Sequence, residues 1–267
     1  MKIIIFTTNQ IRHQFFVDYM SRQKDIKLVE CFVEKNLHEK YQKKIILSKL
    51  QKKHFNKRNL KEKLFFSNYL KKKGLKNISY IPAQKLSKSK KIIDILEKKN
   101  YDFVISFGCS IIDDTLLKIN RKKFLNIHLG LSPYYLGSGT NFWPFSNNEL
   151  QFLGATIMRT SNKVDQGRIL HQVRPSIKRG HDIHDVGNLI ILKIVKQLKY
   201  VLKNLHKKTK NFTFTKYKTK VYKRSDFNDE SLKKAYKNIE NGMISKYLIK
   251  KKFLEKKYKI INLKECI

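Results

Sequence analysis

The first 128 residues alternate short apolar runs with amphipathic stretches, and this alternation constrains the fold more than any other feature of the chain. Residues 3–8, 27–33, 78–81, 101–107 and 124–128 are short and rich in Ile, Val and Phe, and they read as buried strands. Between them, residues 11–22 and 89–99 carry apolar side chains at helical spacing, with Asn9 as a cap for the first. Residues 36–73 read as one long or two broken lysine-rich helices, with Leu37, Tyr41, Ile45 and Ile46 as an apolar stripe. Strands that alternate with helices imply βαβ units and a mostly parallel, Rossmann-like sheet flanked by helices, with right-handed crossovers. Such sheets bind ligands beyond the carboxyl ends of their strands.

After residue 150 the pattern changes. Residues 152–160 and 168–176 read as neighbouring strands, and 182–205 as a long amphipathic helix with Ile190, Ile194 and Leu198 on one face. Residues 225–230 resemble a helix start before a helix over 232–247. The expected organisation is a catalytic domain over 1–205 and a short, helical C-terminal extension over 206–267.

The chemistry is concentrated in two places. The run Asn126-Ile-His128-Leu-Gly130-Leu-Ser132-Pro133 ends a strand with polar residues at i and i+2, then breaks into a loop containing Gly139 and Thr140. Residues two apart in a strand project from one face. An Asn donates to a carbonyl oxygen and a His accepts a proton, a pairing that suits acyl transfer. Further on, Val164-Asp165-Gln166-Gly167 places a carboxylate on a tight turn before an apolar run. An Asp is the usual group that orients a catalytic His.

This order, with 37 residues from His128 to Asp165 and residues 153–160 as an intervening strand, resembles the 10-formyltetrahydrofolate-dependent formyltransferases. The resemblance is clear over about residues 100–175 and extends over 1–205. It implies a folate-dependent formyltransferase with Asn126, His128 and Asp165 as catalytic residues. It also implies 10-formyltetrahydrofolate as formyl donor and co-substrate, without a metal. The pterin would lie against Cys109, Ser110, Ile111, Ile112 and Val164. The acceptor, a small-molecule amine, would meet Asn9, Arg12, His13, Gly139 and Thr140, with Tyr134, Tyr135 or Trp143 as stacking partners, core packing being the commoner use of a residue such as Trp143.

Within the family the chain is most similar in layout to small enzymes that formylate amino sugars, often nucleotide-linked, for surface polysaccharide. Its C-terminal part is short for the barrel of methionyl-tRNA formyltransferases. Its first strand–helix turn lacks the glycines of phosphoribosylglycinamide formyltransferases. It starts directly at the first strand, so the extra N-terminal regulatory domain of formyltetrahydrofolate hydrolases is not expected.

Charge offers a reading of a different class. The formal net charge is +38, which invites a catalytically inactive protein bound to nucleic acid or an anionic membrane. Only nine of the 59 basic residues are arginine, however, and lysine is spread over nearly every segment. Nucleic-acid readers favour arginine for bidentate contacts, so no specific nucleic-acid partner is expected. Three distant cysteines, Cys31, Cys109 and Cys266, form no zinc or disulfide spacing, which fits a reducing cytoplasm. No apolar run reaches about 18 residues, so no membrane insertion is expected. A homodimer is compatible with the sequence.

Overall fold

The computed structural model describes residues 1–35, 46–71, 76–205 and 213–263. The expected stripe residues Leu37, Tyr41 and Ile45, and also Cys266, lie outside the described residues. The chain forms two compact units: residues 1–47, 63–127 and 158–168 make the first, and 48–62, 128–157 and 169–267 the second.

The first unit is built on parallel strands. These are β1 (Lys2–Thr8), β2 (Lys27–Lys35), β3 (Ile78–Pro82), β4 (Phe103–Phe107) and β5 (Phe124–His128), in the order β3-β2-β1-β4-β5. Each parallel pair needs a crossover connection, and the order departs from chain order because after β3 the chain returns to the other side of β1 to form β4 and β5. Ile3, Ile4, Ile5 and Phe6 of β1 are all fully buried, as a strand covered on both faces must be. Helix α1 (Ile11–Ser21) buries Phe15, Phe16, Val17 and Met20. Helix α2 (Lys49–Ser67), of which residues 49–62 belong to the second unit, is the helical part of the described stretch 46–71 of the lysine-rich segment; the expected stripe residue Ile46 precedes it outside any helix and is 99% exposed. Helices α3 (Lys90–Lys98) and α4 (Asp114–Asn120) supply Ile92, Leu96, Leu116 and Leu117 to a core with Phe6, Phe32 and Phe124. Two details differ from the expectation. Gln10, not Asn9, occupies the cap position of α1, and no side chain caps it; the Asn9 carbonyl accepts from Gln14 Nε2 instead. Helix α4, with Asp113 as its cap, is too short for its period to stand out in the sequence.

The sheet continues from β5 to β7 (Ala155–Arg159) and β8 (Ile169–Val173). A separate two-stranded sheet pairs β6 (Tyr135–Gly137) with β9 (Lys220–Tyr222), in parallel. The second unit also holds α5 (Trp143–Ser146) and α6 (Ile183–Asn204). Asp182 caps α6 in a capping box with Asp185, and Ile190, Ile194 and Leu198 are buried as the spacing predicts. The predicted helix over 232–247 is two helices, α7 (Asp229–Glu240) and α8 (Met243–Lys257). They divide at Gly242, whose φ of 75° ends α7 in a left-handed turn. The C-terminal part is thus helical but also contributes a strand, β9.

Candidate active site

The register of β4 and β5 sets Asn126 beside Ser106. Ser106 Oγ lies 3.0 Å from Asn126 Oδ1 and 3.2 Å from the Leu125 carbonyl, so its proton is shared between them. A hydroxyl could serve either end of the amide, but the Asp165 carboxylate on the other side only accepts, and this puts Nδ2 towards Asp165 and the oxygen towards Ser106. Asn126 Nδ2 donates to Asp165 Oδ1 over 3.4 Å, a long bond that uses one of two N–H groups. Two of the three residues picked out from the motifs therefore meet within the first unit.

Asp165 is held in the left-handed region at φ 54°, which Asp tolerates better than most residues. The turn around it is tight. Arg159 N–H donates to the Arg168 carbonyl at 2.9 Å, and a Cβ on Gly167 would stand 1.7 Å from the Arg159 carbonyl oxygen. Only glycine fits there. Gly167→Ala should force the turn open and destabilise the protein by about 1–3 kcal/mol, the usual cost of overpacking. A lowered midpoint in urea unfolding checks this, and an unchanged midpoint counts against the tight turn.

The segment after β4 is organised by a residue the sequence reading passed over. Glu34, at the carboxyl end of β2, is fully buried. It accepts from Ser110 N–H at 2.6 Å, Ser110 Oγ at 2.8 Å and Gln84 N–H at 2.7 Å. A buried carboxylate needs such donors, and here they fix the backbone of the 108–112 segment. Gly108 takes φ 69°, and a Cβ on it would stand 2.5 Å from His13 Cε1. His13 lies beneath this turn, 1% exposed, with Nδ1 2.5 Å from Thr8 Oγ1 and its ring edge-on to Phe107. Arg12 is 8% exposed, and Asn9 is exposed.

The candidate pterin residues divide. Ile112 belongs to the core, whereas Ile111 is 74% and Val164 51% exposed. Large apolar side chains exposed to that extent are free to cover a flat ligand. Burial, with the Glu34 charge nearby, pushes the Cys109 thiol well up from its usual value. It is a thiol rather than a nucleophilic thiolate at neutral pH.

In the second unit, His128 is buried and its Nε2 lies 3.0 Å from the Tyr135 carbonyl. A carbonyl only accepts, so this bond requires the proton on Nε2 and makes Nδ1 the basic nitrogen of the neutral ring. A Cβ on Gly130 would stand 2.5 Å from His128 Nε2, so only glycine lets the chain pass the ring. Thr140 is buried, with Oγ1 donating to the Leu129 carbonyl, and Gly139 has φ 69°. The aromatic residues suggested for stacking on an acceptor are engaged elsewhere. Tyr134 and Tyr135 are 1% and 0% exposed, and Trp143 stacks on Tyr222 at 4.0 Å. Among the described residues, no group of three or more His, Cys, Asp or Glu is placed to hold a metal ion.

Beyond the motifs, the structure adds Ser106, Glu34 and the Tyr135 carbonyl, none of which carried a local signal, and it gives the reason for Gly130 of the first motif.

A family model described as formyl transferase matches residues 1–202. The chain is similar to the bifunctional polymyxin resistance protein ArnA of Wigglesworthia glossinidia brevipalpis, 37% identical over 112 residues, which are 42% of this chain and 17% of that protein. It is also similar to methionyl-tRNA formyltransferase of Clostridium tetani, 32% identical over 96 residues, 35% of this chain and 30% of that protein. The matched stretch spans less than a third of either relative. Among solved structures, it shares its fold with a sugar N-formyltransferase from a Shewanella species, with TM-score 0.55 and 17% identity, covering 89% of this chain and 87% of that one. A 4-N formyltransferase from Francisella tularensis gives TM-score 0.52 and 18% identity, covering 89% and 87%.

Proposed function

The chain belongs to the formyl transferase family, and we propose that it moves the formyl group of 10-formyltetrahydrofolate to the amine of a nucleotide-linked amino sugar. The observation that carries the reading is the Asn126 amide, oriented by Ser106 at one end and bonded to Asp165 at the other. In the proposed reaction the acceptor nitrogen attacks the formyl carbon, and the carbonyl oxygen becomes an oxyanion. The second N–H of Asn126 donates to that oxygen, where a fixed donor gains most as charge develops. His128, two residues along the same strand, takes the proton from the attacking nitrogen on Nδ1. The carbon–nitrogen bond to folate then breaks, and Asp165 relays the proton taken up by His128 to the leaving nitrogen. The segment Gly108–Ile112, with exposed Ile111, and exposed Val164 receive the pterin.

The amino-sugar acceptor is favoured by the fold likeness to a sugar N-formyltransferase over 89% of the chain. The test is incubation with 10-formyltetrahydrofolate and a panel of amines, followed by mass spectrometry. The panel holds nucleotide-linked amino sugars, methionyl-tRNA and phosphoribosylglycinamide. Formylation of the sugars is expected. Formylation of either other acceptor alone would replace this reading.

The folate loop gives a second measurement. Glu34→Gln turns one of two accepting oxygens into a donor facing donors. Leaving such groups unmet costs about 1–3 kcal/mol. The Michaelis constant for 10-formyltetrahydrofolate should rise roughly tenfold, equivalent to about 1.4 kcal/mol, with a smaller change in kcat. An unchanged folate constant in the folded variant would detach Glu34 from folate binding.

A further inference from the structure

The carbonyl that fixes the proton of His128 is itself held by the C-terminal part of the chain. Tyr135 begins β6, and β9 lies against it in parallel register, with Tyr135 opposite Lys220 and Gly137 opposite Tyr222. Lys220 N–H donates to the Tyr134 carbonyl at 2.8 Å, and Ser138 N–H donates to the Tyr222 carbonyl at 2.8 Å. The approach leaves no slack, since a Cβ on Gly137 would stand 2.2 Å from the Tyr222 carbonyl oxygen.

Side chains repeat the connection. Glu149, largely buried, accepts from the Tyr135 hydroxyl with one oxygen, and from the Tyr217 hydroxyl and Lys220 Nζ (2.7 Å) with the other. Asn147 Nδ2 lies 2.9 Å from the Tyr135 hydroxyl and 2.7 Å from that of Tyr222. Burial, reinforced by Glu149, holds the Tyr135 and Tyr217 phenols well above their usual values, so both remain donors at working pH.

We infer that β9, clamped through Glu149, is a positioning element for His128: it fixes the Tyr135 carbonyl, and that carbonyl fixes the ring in its Nε2–H form. Glu149 touches no reacting atom in this scheme. It acts through the backbone of Tyr135, and its role in turnover rests on the assignment of His128 given above. The consequence is that residues 217–222, more than eighty positions from His128, belong to the functional unit. A purely peripheral tail would have no such link. A ring whose carbonyl partner drifts samples both tautomers, and the one protonated on Nδ1 cannot take a proton there.

The experiment is long-range proton–nitrogen NMR on histidine-labelled full-length protein, with His128 assigned by loss of its signals in His128→Gln. In the wild type a single tautomer with the proton on Nε2 is expected. In Glu149→Ala the two ring-nitrogen signals should move towards each other as the tautomers mix, and Glu149→Gln should lie between. With the nucleotide amino sugar that the wild type turns over, kcat of Glu149→Ala should fall about ten- to a hundredfold, as for a displaced catalytic group. The folate Michaelis constant should stay within about twofold, because the residues proposed for the pterin are untouched. If Glu149→Ala does not fold, Tyr217→Phe and Lys220→Met each remove one donor from the clamp and should show the same drift on a smaller scale. A folded variant whose His128 signals match the wild type overturns the inference. His128→Ala in the kinetic assay separates the two ideas: full turnover there rejects the assigned role of His128, while the NMR result still decides whether β9 positions the ring.

Discussion

His128→Ala lowers formyl transfer at saturating folate by about 10²–10⁴-fold, the usual contribution of a general acid–base residue. The expectation follows from where the proton sits. With Nε2 donating to the Tyr135 carbonyl, Nδ1 is the nitrogen that accepts, and the ring cannot rotate without losing that bond. Removal of the ring takes away the acceptor and also leaves a space beside Gly130, so loss of stability must be distinguished from loss of chemistry. His128→Gln makes the distinction. Its amide can still donate to the Tyr135 carbonyl, yet it cannot take up a proton. If proton transfer is the function, Gln is as slow as Ala. If the ring only props the backbone, Gln restores most of the turnover. Near-normal turnover in Ala, measured on a folded protein, would remove His128 from the mechanism.

The parts of the fold that were legible in the sequence are those with local causes. The apolar run of β1 is unbroken because both faces of that strand are covered, those of β2, β4 and β5 are each interrupted by one polar residue (Glu30, Ser106 and Asn126) yet still stand out, and α6 shows its period over 22 residues. A strand end and a tight turn marked Asn126 and Asp165 separately, and only the family resemblance set them in one site; in the structure the two side chains meet. What was not legible depends on contacts between distant residues. Glu34 serves Ser110 from 76 positions away, and Lys220 meets Glu149 from 71 positions away. Nothing in the local sequence marks an isolated Glu as a buried loop organiser. Strand β9 is three residues long, and its central Val221 is 64% exposed, so neither length nor alternation announces it. Trp143 takes the core-packing use rather than the stacking role also suggested for it, because Tyr222 already covers that ring.

The largest stability effect expected is a loss of stability in mild acid, traced to two histidines remote in sequence from the motifs. His54 on α2 and His184 on α6 are each 5% exposed, with ring centroids 4.6 Å apart. Around them stand Lys57, Arg58 and Glu62 from α2, Asp182 at the start of α6, and Tyr236 of α7, whose hydroxyl is 2.9 Å from His54 Nδ1. Phe55, Phe142 and Phe227 close the surroundings of His54. Burial, followed by the charges of His184, Arg58 and Lys57, brings His54 down to about 3 against a smaller upward pull from Asp182. Burial brings His184 to about 4, with Arg58 and Lys57 adding to it and Asp182 and Glu62 opposing. His184 also stands in the first turn of α6, where the helix dipole disfavours a cation. Both rings therefore stay neutral in the folded protein at pH 5, whereas in the unfolded chain they take up protons near 6.5. The unfolded state binds more protons in this window, so stability rises with pH and falls as the solution is acidified. From pH 7 to pH 5 two such groups remove about 4 kcal/mol, against a usual total of about 5–15 kcal/mol. Asp182 adds no slope there. Although burial raises its value, the Asp185 N–H, Lys57 and Lys61 bring it well below the ordinary carboxylate range, so it is charged in both states. His184 Nε2 is buried without a hydrogen-bond partner among the described residues, so His184→Leu gives up no bond at that atom. Urea unfolding at pH 7 and pH 5 should show the full loss in the wild type, about half in His184→Leu, and little in His54→Gln/His184→Leu. Equal losses in all three proteins would place the acid sensitivity elsewhere in the molecule.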